Sequence, residues 1–366
     1  MGRPLRHIPE NKDGVLVEVT GRVIGARALL LPTPSPSRFN EIVVGLLGRA
    51  MEVSPVELCG CVVMANHWHV LLAVRDQQQL SRFMHHFAGN ASKTVGNLRG
   101  WKGTLWQRRY DGIVVSDEPE AQWNRLRYLL SHGVKEGLVE SPLEWPGVHT
   151  AGPLVRGEKL KGVWFNKTKE YAAKRSGQVY GAYDFATRYS IALAPLPAFR
   201  HLEPEEYRDR IAQMLVEIQR EGEAKRQGDS VAGVEKILSQ NPHEPPTRQP
   251  KTSPRPRFHV ASKEAREELL EEYFAFATQY KIASAALRLR RKTEAIGWFP
   301  EGSYPPASPF VGPPPPPRPP APPTRRLTLQ RGGVIDRGEL PVVEIPAARA
   351  ALAQARDGSR ARGRPD

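Results

Sequence analysis

The run Glu57-Leu-Cys-Gly-Cys-Val-Val-Met-Ala-Asn-His-Trp-His-Val-Leu-Leu-Ala-Val74 constrains the fold more than any other stretch of the chain. Two apolar, β-rich segments, roughly 57–64 and 67–74, flank a turn around Ala65-Asn66, the pattern of a β-hairpin. Within it His67 and His69 stand two residues apart, which on a strand turns both imidazoles to one face. Such a pair can hold a divalent metal.

The flanking sequence supplies partners for this hairpin. Val15 to Ile24 alternates and is β-branched, predicting a first strand, and Phe39, Ile42, Val43, Leu46, Leu47 and Ala50 recur at helical spacing. From Gln77 to about Leu98 a second amphipathic helix carries Leu80, Phe83, Met84, Phe87, Val95 and Leu98, with stop signals at Gly96 and Gly100. Asp111 to Ser116 reads as a short strand, and Asp117-Glu-Pro119 starts a helix to about Gly133. Its apolar face is Trp123, Leu126, Leu129 and Leu130; Asn124, Arg125, Tyr128, His132 and Lys135 fall on the other side, so Tyr128 is not placed as a core residue. The order strand, helix, hairpin, helix, strand, helix predicts an α+β fold, a ferredoxin-like or RRM-like antiparallel sheet with helices on one face.

Beyond Trp145-Pro146 the character changes. Residues 151–200 are mixed, basic and weakly periodic; helices are expected at about 203–226, around Tyr207, Ile211, Met214, Leu215 and Ile218, and at about 262–292, around Leu269, Leu270, Phe274, Ala277 and Leu287. The second has an N-cap at Ser262 and a cationic end at 288–292. A basic, proline-rich linker lies near 241–257, and many of the 35 prolines crowd the tail. The expected organisation is therefore a sheet-and-helix domain over 1–150, a mostly helical basic extension over 151–300, and a proline-rich, disordered tail over 301–366.

A formal net charge of +14 favours a polyanionic partner, nucleic acid before membrane. No run of about 18 apolar residues offers a membrane span, and no apolar signal core opens the chain, so a cytoplasmic, nucleoid-associated protein is expected. Basic and aromatic residues interleave from Trp101 to Tyr110, with Lys93 and Arg99 just upstream. That mix suits phosphate contacts and base stacking, or else a solvated loop whose tryptophans pack on the core. Cys59 and Cys61, the only cysteines, join the histidines in a structural zinc site only under a three-residue hairpin loop. A two-residue turn sets His69 across from Val62 instead.

Asn66-His67-Trp68-His69, Trp106-Gln107-Arg108-Arg109-Tyr110, Arg127-Tyr128-Leu129-Leu130, and Val134 to Val139 with Trp145-Pro146 together resemble, in order, the motifs of single-tyrosine HUH transposases of the IS200-like type, above all the REP-associated tyrosine transposases. The resemblance implies Tyr128 as nucleophile and His67, His69 and His132 as ligands of Mg²⁺ or Mn²⁺. His132 stands where the family usually carries Asn or Gln, and the usual Asn-Pro step after the tyrosine is replaced; His remains a good ligand for a borderline ion. A phenol is a poor nucleophile until nearby positive charge favours its oxyanion, and Arg125 and Arg127 are candidates beside the metal. Attack would give a 5′-phosphotyrosine and a DNA 3′-OH. The implied partner is single-stranded or hairpin DNA, contacted by Lys93, Arg99, Lys102, Arg108, Arg109, Arg125 and Arg127, with a monomer or a homodimer equally compatible. The alternative is a domesticated, non-cutting nucleic-acid-binding regulator built on the same sheet.

Overall fold

The alternating segment Val15–Arg22 forms strand β1, and the hairpin forms β2 (Glu57–Val63) and β3 (His67–Val74). The computed structural model describes residues 7–9, 11, 14–247, 256–289, 299–303, 340 and 342–347. With β4 (Asp111–Val115) and the short β7 (Phe258–His259), these strands make a sheet in the order β2-β3-β1-β4-β7, antiparallel except for the β4–β7 pair. Helices α1 (Pro36–Val53) and α2 (Gln77–Arg99) complete the β-α-β-β-α-β order of a ferredoxin-like α+β core. The six apolar residues expected on α1 are all buried. Asp76 caps α2 by accepting from the Gln79 N–H at 2.7 Å, and left-handed Gly100 closes it.

The sheet is covered on both faces. Val17, Val19, Val70 and Leu72 pack with α1 and α2 on one side. On the other, Leu16, Leu71 and Ala73 meet Leu126, Leu129 and Leu130 of α3 (Pro119–Leu130), and Ile211, Met214 and Ile218 of α6 (Pro204–Arg226). The helix expected at 203–226 is thus present, with all five of its apolar residues buried.

Residues 151–200 carry more order than their weak periodicity predicts: α4 (Ala151–Arg156), β5 (Leu160–Phe165), α5 (Lys167–Arg175) and β6 (Ala186–Ile191). Strands β5 and β6 form a second sheet with β8 (Val342–Ile345), which runs parallel to β6. This sheet packs on α1 backbone to backbone. A Cβ at Gly45 would stand 2.2 Å from the Val163 carbonyl, and one at Gly162 would stand 2.3 Å from the Gly45 nitrogen. Only glycine at both positions admits this approach.

A short α7 (Val234–Leu238) and α8 (Lys263–Leu289) follow. Ser262 caps α8, accepting from the Ala265 N–H at 3.1 Å, as expected. Of its expected apolar series Ala277 is buried and Leu269, Leu270 and Leu287 are partly buried, whereas Phe274 is exposed and Tyr273, Phe276 and Ala283 complete the buried face. The chain divides into two compact units, residues 8–266 with 341–366, and residues 1–7 with 267–340. In the second, the His7 ring stacks on Phe276 and its Nε2 lies 2.7 Å from the Glu272 carboxylate.

Part of the expected linker (248–255), the basic side chains at 288–292 and most of the tail after 303 lie outside the described residues. Among the described residues, no helix is long and apolar enough to cross a membrane.

Candidate metal centre and tyrosine

Hairpin register decides what His67 and His69 face. The Met64 N–H donates to the His67 carbonyl at 2.8 Å, and Val62 pairs with His69, so the turn is the two-residue one at Ala65-Asn66. A register shift between Leu58 and Gly60 then parts the two cysteines. Cys61 is buried in the layer under α1 and α2, and Cys59 in the layer under α3. Burial pushes the Cys61 thiol up to about 12, and burial also raises Cys59, whose Sγ donates to the Pro195 carbonyl at 3.6 Å. Neither is a ready thiolate, and the four-ligand zinc arrangement is not formed.

Among the described residues, the group suited to a metal is His67, His69 and His132, each offering a nitrogen within 4.8 Å of the other two. His67 and His69 project from the α3 side of β3. His132 reaches them from the turn after α3, its ring centroid 4.3 Å from that of His69 and 5.7 Å from that of His67.

Each imidazole has its Nδ1 engaged. Asn66 donates its amide to the Ala26 carbonyl, which turns Asn66 Oδ1 toward His67 Nδ1 at 2.6 Å. His69 Nδ1 lies 2.6 Å from Glu18 Oε1 and 3.2 Å from Thr20 Oγ1. His132 Nδ1 lies 3.0 Å from the Leu129 carbonyl. Carbonyl and carboxylate acceptors require Nδ1–H, so all three rings present Nε2 as the acceptor nitrogen, the arrangement typical of metal-ligating histidines. Burial, followed by repulsion from His69, Lys135 and His67, holds His132 far below the ordinary imidazole value and therefore neutral. Its Nε2 already faces one cation, the Lys135 ammonium at 3.1 Å.

Tyr128 is 42% exposed on α3, as the periodicity predicts. Its ring lies 5.1 Å from that of His132 and 6.0 Å from that of His69. Lys135 Nζ sits 3.5 Å from the Tyr128 ring centroid and Arg125 Cζ 4.7 Å from it. Burial lowers Lys135 to about 8, with Glu136 opposing the shift and Arg125 and Lys225 adding to it.

The seven basic residues expected at DNA divide into two groups. Lys93, Lys102, Arg108 and Arg109 are exposed, with Arg108 paired to Asp111 at 2.8 Å. The other three are occupied inside the protein. Arg99 donates to the carbonyls of Leu29, Leu31 and Thr33, Arg125 is buried against Glu18, and Arg127 pairs with Glu217 and Glu221 of α6. Their guanidiniums satisfy buried or facing acceptors that a linear sequence does not display. The tryptophans of 101–110 also turn inward: Trp106 donates to the Ala88 carbonyl at 2.9 Å and meets Trp68 edge-on.

Glu18 and Thr20 were not anticipated as site residues. A lone acid within Val15–Arg22 was the available signal. Alternation reads it as solvent-facing, whereas α3 covers that face.

Residues 37–128 match the family model described as "Transposase IS200 like". Over this stretch the chain is similar to IS200-like transposases. The matched stretch contains His67 and His69 and ends on Tyr128. Among solved structures, a REP-associated tyrosine transposase bound to a REP hairpin aligns at 17% identity with a TM-score of 0.33, covering 43% of this chain and 86% of that one. A candidate transposase of Deinococcus radiodurans R1 aligns at 17% identity with a TM-score of 0.24, covering 34% of this chain and 95% of that one. No curated protein matches the chain.

Proposed function

We propose that the domain within residues 1–150 is a transposase domain, a metal-dependent single-strand DNA endonuclease and strand transferase acting through a covalent 5′-phosphotyrosine on Tyr128. The observation that carries this reading is the Tyr128 ring set 5.1 Å from His132, beside the three-histidine cluster, on a helix of the same chain. Three imidazoles with committed Nδ1 atoms fit a divalent ion such as Mn²⁺ or Mg²⁺. His67, His69 and His132 would hold the ion, whose charge would polarise a scissile phosphate and offset charge on its non-bridging oxygens.

The protein's own groups supply the rest. Tyr128 Oη attacks phosphorus and gives up its proton. The P–O3′ bond breaks, and the departing oxygen takes a proton to become a 3′-OH. The phosphotyrosine bond conserves the energy for rejoining, so no nucleotide cofactor is required. Lys135 lies against the ring, where its charge offsets that gathering at the site. Lys93, Lys102, Arg108 and Arg109 are left to contact phosphates. Single-stranded or hairpin DNA is the fitting substrate, because a continuous duplex keeps the scissile phosphate stacked away from a sheet-and-helix site.

Incubation with Mn²⁺ and a pool of single-stranded genomic fragments, followed by recovery of protein-linked DNA, tests this reading. The expected outcome is a covalent adduct that Tyr128→Phe abolishes while DNA binding persists. Equal adduct yield from Tyr128→Phe overturns the assignment, and no adduct from the unaltered protein favours the non-cutting regulator.

A further inference from the structure

Strand β1 runs through the centre of the sheet, and Glu18 on it has no exposed surface. An isolated buried carboxylate is strongly disfavoured, so an acid kept there requires partners. It has two of different kinds. One oxygen, Oε1, lies 2.6 Å from His69 Nδ1, and the other, Oε2, is paired with Arg125. His69 belongs to β3, whereas Arg125 belongs to α3, one turn before Tyr128. The Arg125 guanidinium in turn lies 4.7 Å from the Tyr128 ring centroid.

We propose that Glu18 is the positioning residue for both halves of the site: it fixes the His69 ring with Nε2 toward the metal, and through Arg125 it holds the tyrosine helix in place. This inference rests on the functional reading above. An ionised carboxylate accepts and cannot donate. Arg125 favours the ionised form, so His69 must carry its proton on Nδ1 and direct the Nε2 lone pair away from Glu18. The same carboxylate sets the distance between β1 and α3 at Arg125, three residues from Tyr128. A strand buried on both faces offers little freedom, so the anchor point is rigid. Simple packing does not need this pair. Leu16 and Leu71 fill the neighbouring positions of that face with apolar side chains, and well-packed apolar groups replace a buried ion pair with little loss or with gain in stability.

Two variants of the full chain test it, Glu18→Gln and the charge-free double variant Glu18→Leu with Arg125→Leu. Imidazole ¹⁵N NMR of the metal-free protein should show His69 as the Nδ1–H tautomer in the unaltered chain and a mixed or reversed tautomer in Glu18→Gln. Calorimetric titration with Mn²⁺ alone should show affinity about 10- to 100-fold weaker in both variants, while thermal unfolding of the double variant stays cooperative. An Nε2–H tautomer of His69 in the unaltered protein overturns the proposal. So does a folded double variant that binds Mn²⁺ as tightly as the original. If the unaltered protein takes up no Mn²⁺, the functional reading fails, and the tautomer measurement still judges Glu18.

Discussion

On one face of the main sheet, Val17, Val19, Val70 and Leu72 meet α1 and α2 across an apolar layer. On the other, Glu18, Thr20, His67 and His69 lie among Leu16 and Leu71 beneath α3. Both faces are covered, so exposure does not separate them. What separates them is how specific each neighbour must be. In the apolar layer a side chain of similar volume and shape serves, whereas in the polar layer each carboxylate and imidazole needs a particular partner. Because strand residues alternate between faces, successive positions on β1 and β3 face the apolar layer and the candidate site in turn.

This separation can be broken from either side. The largest effect is expected from replacing both His67 and His69 by Ala. Metal-dependent cleavage should disappear in a single-strand nicking assay while unfolding remains cooperative, and retained Mn²⁺-dependent nicking would remove the polar face from the chemistry. Next comes Trp68→Ala on the apolar face, whose indole is buried against Phe87 and Trp106. It should cost about 3–5 kcal/mol in chemical denaturation, while Mn²⁺ affinity per folded molecule is unchanged. A lost metal affinity there would show the two faces to be coupled.

The smallest effect concerns pH. Burial lowers the His149 imidazole to about 4, below its unfolded value, so the unfolded chain binds the extra proton over the interval between. Stability from this group is complete above the ordinary imidazole value and is lost as pH falls toward about 4, on the order of 3 kcal/mol in full. Denaturation midpoints measured across that window should fall less steeply in His149→Phe.

Much of this architecture is legible in the residues. The alternation of β1, the apolar stripe of α1, the hairpin and the Leu126-Leu129-Leu130 face of α3 each follow from period and burial, and Tyr128 emerges on the polar side for the same reason. What stays hidden is the identity of partners. Arg99 and Arg125 look like phosphate ligands, yet loop carbonyls and Glu18 claim them. Trp101 and Trp106 look like stacking platforms, yet Trp106 is drawn inward by the Ala88 carbonyl and Trp68. The separation of Cys59 from Cys61 depends on a strand irregularity marked in the residues only by Gly60. Each is a long-range pairing, which local periodicity does not encode.

The closeness of α1 to β5 at Gly45 and Gly162 reaches further than packing. Where two backbones touch with no side chain between them, the joint has a single seating. A slip of one residue drives a side-chain carbon into a peptide group. The second sheet is thereby keyed to the same helix that backs the main sheet. Part of the chain beyond the matched stretch is in this sense a fitted component, indexed to the main sheet's core the way a tenon is indexed to its slot.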